Sequence, residues 1–134
     1  MQQYVTDTQC LLWHMGNRRR LSKTAQRIFA SAEEGRAQIL VPSIVLVEAI
    51  FLVQRQRVKE DVLNKLLSIT EQPDANFYVT PLNMAVVQAL RSFGPAAVPE
   101  LSDRIIAATA LALALPLLTT DMAIAASGLV NTVG

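Results

Sequence analysis

The sequence predicts an α/β fold, a three-layer α/β/α sandwich with a central, mainly parallel sheet. Short runs of β-branched and aliphatic residues alternate with helical stretches of ten or more residues, which is the spacing of βαβ units. The runs are almost uniformly apolar, as strands covered on both faces are. The size fits one domain spanning 1–134: 134 residues, 51% hydrophobic and 17% charged. A chain of that length buries roughly two thirds of the surface its unfolded form exposes, so it needs no staple.

The elements follow in order. Tyr4-Val5-Thr6 reads as a first strand ending at Asp7. Leu11-Leu12-Trp13 opens a short helix that Gly16-Asn17 stops. Ser22 caps a helix to about Gly35, with Ala25, Ile28, Phe29 and Ala32 on one face. Gln38–Val41 is a second strand, ended by Pro42. Ser43 is placed to cap the next helix, Ile44 to about Arg55, which is apolar almost all round and so is expected to be buried. Val58–Gln72 repeats apolar residues at helical period. Phe77–Thr80 is a third strand and Asn83–Phe93 a helix. After a Pro-rich loop, Ser102 or Asp103 caps a long Ala-rich helix that ends before Pro116. Leu117–Thr120 is a fourth strand, Asp121 opens a last short helix, and Leu129–Val133 makes a final edge strand. There is no internal repeat and no linker.

Composition excludes several classes. The hydrophobic content is too high for a disordered chain. One cysteine, Cys10, excludes a disulfide framework, and one histidine, His14, excludes a His-rich metal site. The start, MQQYVTDTQC, has neither the basic nor the apolar region of a signal peptide. The longest uncharged apolar run, Ile105–Leu118, is broken by Pro116 and is too short to span a bilayer. A cytoplasmic protein is the expectation. The net charge of +1 is uninformative, but its distribution is not. Residues 1–65 carry ten basic and six acidic side chains, and residues 66–134 carry two and five. Such asymmetry points to a polyanionic partner, and Arg18, Arg19, Arg20 and Lys23 are the candidates to contact it. Against that, no aromatic residue interleaves the run, and charge clusters commonly just solvate a helix entrance.

The acids carry more. Active sites of open parallel sheets lie at the carboxyl ends of the strands. Asp7 follows the first strand and Asp121 the fourth, and Asp103 begins the helix that feeds the fourth. Glu48 sits inside an otherwise apolar helix, where a carboxylate is costly unless it is paired or metal-bound. Asp is also a favoured N-cap, and a lone helical Glu is commonly just exposed. Four acids from four elements at one edge are a different matter. They would repel one another without a cation, and hard oxygen ligands without His or Cys suit Mg²⁺ or Mn²⁺. Such a site suits phosphodiester hydrolysis.

The words YVTDT (Tyr4–Thr8), VPSIVLVE (Val41–Glu48), SDRIIAATA (Ser102–Ala110) and PLLTTD (Pro116–Asp121) together resemble the PIN domain family, and within it the VapC-type toxins of toxin–antitoxin pairs. The resemblance runs in order over nearly the whole chain. It implies a parallel sheet sandwiched by helices and Mg²⁺- or Mn²⁺-dependent endoribonuclease activity. In-line attack of water on phosphorus would leave a 5′-phosphate and a 3′-hydroxyl. The family's four acids fall on Asp7, Glu48, Asp103 and Asp121, as metal-holding and catalytic residues. Thr8 and Thr119 would hydrogen-bond carboxylates or the scissile phosphate, or serve as turn and cap residues. Arg104 would pair with one of the four acids or touch phosphate. The implied partners are an RNA substrate, a second copy of the chain and a separate antitoxin. Where many relatives carry Asp-Pro-x-Asp-Arg, this chain has Glu100-Leu101-Ser102-Asp103-Arg104.

Cys10 reads as a small buried hydrophobe, His14 as a packed or surface residue, and Trp13, Phe51 and Leu52 as core. The main alternative is a catalytically silent PIN-like module that binds RNA or protein. A dehalogenase-like phosphatase would need an Asp two residues after Asp7, where Gln9 stands, and a receiver domain would need a late Lys, whereas none follows Lys65.

Overall fold

In the computed structural model, which describes residues 1–134, strands β1 (Gln2–Thr6), β2 (Ala37–Pro42), β3 (Phe77–Thr80), β4 (Leu117–Leu118) and β5 (Thr132–Val133) form one sheet. Their spatial order is β3-β2-β1-β4-β5, and every neighbouring pair is parallel. The chain therefore builds outward from β1 in one direction, then crosses back to add β4 and β5 on the other side. The order reverses between β1 and β4, where a doubly wound sheet opens a crevice at its carboxyl edge.

Seven helices cover the sheet: α1 (Thr8–Gly16), α2 (Lys23–Glu33), α3 (Ser43–Gln54), α4 (Glu60–Glu71), α5 (Met84–Leu90), α6 (Leu101–Leu113) and α7 (Met122–Ser127). Helices α1, α3 and α4 pack on one another, α5 packs along α6, and α3 touches α6. The central strands are dry. Val5 stands opposite Leu40 in β2 and Leu117 in β4, and Val5, Ile39, Val41, Phe77, Leu117 and Leu118 are all buried. No helix is long and apolar enough to cross a membrane.

Capping follows the sequence at four helices. Asp7, Ser22, Asn83 and Asp121 each accept a hydrogen bond from a backbone N–H in the first turn of the helix that follows. Gly128 ends α7 in the left-handed region, where a side chain would be strained.

Three expectations fail, each for a physical reason. Ser43 does not cap α3; it is the first helical residue, and Pro42 stands before it with no side-chain bond to give. Neither Ser102 nor Asp103 caps α6, which begins at Leu101 behind Glu100. Helix α3 is not buried all round. Only Val45 and Ala49 are, because a helix beside a sheet has one inward stripe. Val47 and Phe51, expected in the apolar interior, are 59% and 49% exposed, with Ile50 between them.

Candidate active site

The carboxyl edge between β1 and β4 holds a cleft of about 270 Å³ lined by Asp7, Glu48, Asp103 and Asp121 together with Thr8, Gln9, Leu52 and Thr120. Each acid arrives on a different element. Asp7 is the residue between β1 and α1, and Asp121 the residue before α7, so the adjacent parallel strands deliver both to one edge. Glu48 comes from the middle of α3 and Asp103 from the first turn of α6, two helices in contact.

The polar groups around the acids are specific. Asp7 is buried, and its two oxygens are both engaged: Oδ1 accepts from the Cys10 backbone N–H at 2.8 Å and Oδ2 from the Thr119 hydroxyl at 2.6 Å. The Thr119 Oγ1 also accepts from the Asp121 backbone N–H at 3.0 Å, so one buried hydroxyl ties the first acid to the fourth. Asp121 Oδ1 accepts from Ile124 N–H at 2.9 Å, leaving Oδ2 free of the cap. Glu48 is held from both sides: Thr8 donates to Oε1 and Ser102 donates to Oε2 at 2.9 Å. Ser102 is thus not a cap. From the first turn of α6 its hydroxyl reaches across to α3.

The electrostatics are those of crowded carboxylates. Burial pushes the Asp7 carboxyl up, against the lowering effect of the Thr119 and Cys10 hydrogen bonds; the Asp121 charge adds to the rise. Asp103 is pushed up to about 7, first by burial, then by the charges of Asp121, Glu48 and Glu100 and by a hydrogen bond with Asp121. Burial and the neighbouring Asp7 also push the Cys10 thiol up, which removes it as a nucleophile.

This donor set fits a hard divalent cation: four carboxylates, no imidazole and no thiolate at the cleft, and like charges that a cation would relieve. No three acidic, His or Cys side chains stand close enough to hold an ion between them directly. Glu48 is turned toward Thr8 and Ser102, and Asp7 toward Thr119.

Other residues singled out in the sequence lie elsewhere. Arg104 makes no ion pair with any of the four acids, and its buried Nε has no hydrogen-bond partner. Asp103 lines the cleft and Arg104 does not. Arg18, Arg19 and Arg20 form an exposed 3₁₀ turn, and none of them lines the cleft. Arg18 pairs with Glu33 at 2.9 Å, and Arg20 lies over the Trp13 ring at 4.9 Å. Lys23 lies at a separate recess with Gln26 and Arg27. His14 is buried and stacked on Phe29 and Phe77. Sequence reasoning missed Ser102 as a partner of Glu48 and Gln9 as a cleft residue. A bond spanning 54 positions leaves no local signal.

The PIN domain family model matches residues 4–126. Among solved structures, the chain is similar to one in the crystal structure of VapBC2 from Rickettsia felis bound to a DNA fragment from their promoter. The TM-score is 0.74 at 15% identity, covering 98% of this chain and 97% of that one. It is similar to a chain of FitAcB from Neisseria gonorrhoeae, with TM-score 0.65 at 20% identity over 98% and 96%. It is also similar to a chain of DNA-bound VapBC from Salmonella typhimurium, with TM-score 0.67 at 16% identity over 99% and 98%. No curated protein matches the sequence.

Proposed function

The chain belongs to the PIN domain family, and from that premise we propose that it is a metal-dependent endoribonuclease, a single domain over 1–134 and the toxin of a toxin–antitoxin pair. The observation that carries this reading is the opening of Asp7, Glu48, Asp103 and Asp121 onto one cleft at the switch point of a parallel sheet. The likeness to chains of VapBC and FitAcB structures supports the toxin assignment, and with it a separate antitoxin and a cytoplasmic setting.

In this reading Asp7, Glu48, Asp103 and Asp121 hold one or two Mg²⁺ or Mn²⁺ ions. The bound cation supplies polarisation of the scissile phosphate, activation of water and relief of charge on the leaving oxygen. The chain's own residues set the frame. Thr119 and the Cys10 N–H fix the Asp7 carboxylate, and Thr8 and Ser102 fix that of Glu48, so the acids need not reorganise when substrate arrives. Asp103, pushed up to about 7 by burial and its acidic neighbours, would be favoured in its charged form by a bound cation. The exposed stripe of Val47, Ile50 and Phe51 supports burial of α3 against a second copy of the chain.

The test is cleavage of total bacterial RNA by purified protein with Mn²⁺, with new 5′ ends mapped. EDTA and the Asp7→Asn and Asp103→Asn variants run beside it. Discrete metal-dependent ends, absent from both variants, are expected. Their absence with folded, antitoxin-free protein would favour the catalytically silent binding module.

A further inference from the structure

A second recess, of about 560 Å³, adjoins the carboxylate cleft and shares Gln9 and Leu52 with it. Its walls come from α1, the end of α3 and the start of α4. Leu12, Trp13, Val58 and Val62 make an apolar floor, and Arg20, Arg57 and Lys59 stand at its rim. No acid lines it, although its neighbour is lined by four. No ion pair engages any of the three cations. Arg20 is stacked over Trp13 at 4.9 Å, which holds the guanidinium plane in place and leaves its edge N–H groups to a ligand.

We propose that this groove seats the RNA strand next to the scissile phosphate, its phosphates held by Arg20, Arg57 and Lys59 and a base lying against Trp13. The inference rests on the nuclease reading and adds to it the place where substrate is held. Charge complementarity is the reason to choose RNA as occupant. A polyanion approaching four carboxylates is repelled over most of its path, and three unpaired cations at the adjoining recess offset that repulsion beside the site of cutting. The mixed lining fits a nucleotide: an apolar, aromatic floor for the base and a cationic rim for the backbone. The basic residues at Lys23 and Arg27 line a different recess with no aromatic in it, and serve as the internal comparison.

Trp13 is the only tryptophan in the chain, so its fluorescence reports on this groove alone. The experiment titrates a short single-stranded RNA of mixed sequence into the full-length Asp7→Asn protein in Mg²⁺ buffer at several salt concentrations. Quenching of Trp13 is expected. The slope of log affinity against log salt should fall by about 0.7 for each phosphate no longer neutralised, so by about 1.4 in Arg57→Gln/Lys59→Gln. Lys23→Gln/Arg27→Gln removes the same charge and should leave the slope in place. Equal decreases in both double variants, or binding with an unmoved Trp13 signal, would overturn the proposal and leave the groove to a protein segment. The two readings fail separately. Cleavage by wild type with no Trp13 response sinks the groove and keeps the nuclease. A Trp13 response abolished in Arg57→Gln/Lys59→Gln, without cleavage by wild type, does the reverse.

Discussion

The chain buries ionisable side chains in two places, and the two are built differently. His14 packs against two rings that also stack on each other, with Phe29 at 4.4 Å and Phe77 at 5.7 Å, and it is 2% exposed. Burial and the Arg18 charge lower it to about 4, so it is neutral at pH 7 and behaves as one more flat hydrophobe. Its Nε2 approaches Glu33 Oε1 at 2.7 Å without the directionality of a hydrogen bond. Asp103 also has a shifted proton affinity, but its neighbours are other carboxylates and it faces an open cleft. The stack solves its charge problem by losing the charge, inside a dry core. The cleft keeps its acids crowded beside solvent, where a cation would relieve their mutual repulsion. A perturbed titration alone does not mark a functional site; the kind of neighbours and the access to solvent do.

The largest effect that would test this contrast is on activity. Asp7→Asn should lower metal-dependent cleavage by roughly 10³-fold, about 4 kcal/mol of barrier. The metal-free fold should be as stable as wild type or more so, because the amide oxygen keeps the cap to Cys10 while one crowded charge is removed. A large loss of metal-free stability in urea denaturation would instead make Asp7 chiefly a helix cap. The stack should show the opposite profile. Phe77→Ala deletes a buried ring and should cost about 3 kcal/mol in stability. The protein that remains folded should cleave at an undiminished rate per molecule, measured by active fraction below the unfolding transition.

A pH series in EDTA should separate the two regions by sign. His14 is lowered from 6.5 to about 4, so the unfolded chain binds more protons between those values. Its contribution is therefore present above pH 6.5 and is lost on acidification toward 4, on the order of 2 kcal/mol. Asp103 is raised from 3.8 to about 7, so the folded chain binds more protons across that window. Its contribution is present at low pH and lost as pH rises through 7. The two windows overlap and their slopes oppose one another: between pH 4 and 6.5, His14→Gln should leave stability falling as pH rises, and Asp103→Asn should leave it rising. Mn²⁺ should stabilise wild type increasingly as pH rises through 7, since it displaces the Asp103 proton. A fall of stability with rising pH that survives in Asp103→Asn would mean that the crowding is shared differently among the acids.

Much of this contrast was legible in the sequence. The order of strands and helices follows from apolar periodicity, and three of the four acids, Asp7, Asp103 and Asp121, stand at or next to element ends that a parallel sheet brings to one edge, while Glu48 stands out as the one charge inside an apolar helix. What was not legible depends on which neighbour a face meets. Val47, Ile50 and Phe51 look like core because almost every position around them except Glu48 is apolar, yet a helix on a sheet has only one inward stripe. Arg104 looks like a partner for the acids because it adjoins Asp103 in sequence, but it forms an ion pair with none of them. Ser102 looks like a cap because it stands where a helix starts.

Ser102 therefore supplies the smallest and most discriminating prediction. Its hydroxyl bonds Glu48 Oε2 and no backbone N–H of α6. Ser102→Ala should leave Glu48 held by Thr8 alone and weaken activity at limiting Mn²⁺ roughly tenfold, about 1.5 kcal/mol for one hydrogen bond to a charged group. Saturating Mn²⁺ should recover most of the loss, since the carboxylate is still present and only its orientation has loosened. Ser102→Thr, which keeps the hydroxyl, should restore the apparent Mn²⁺ affinity. Stability should scarcely change, because no cap is removed. A drop of about 1 kcal/mol in metal-free stability, with Mn²⁺ affinity intact, would return Ser102 to the capping role that its position in the sequence suggests. It would also leave Glu48 with a single fixed oxygen and α3 without its polar tie to α6.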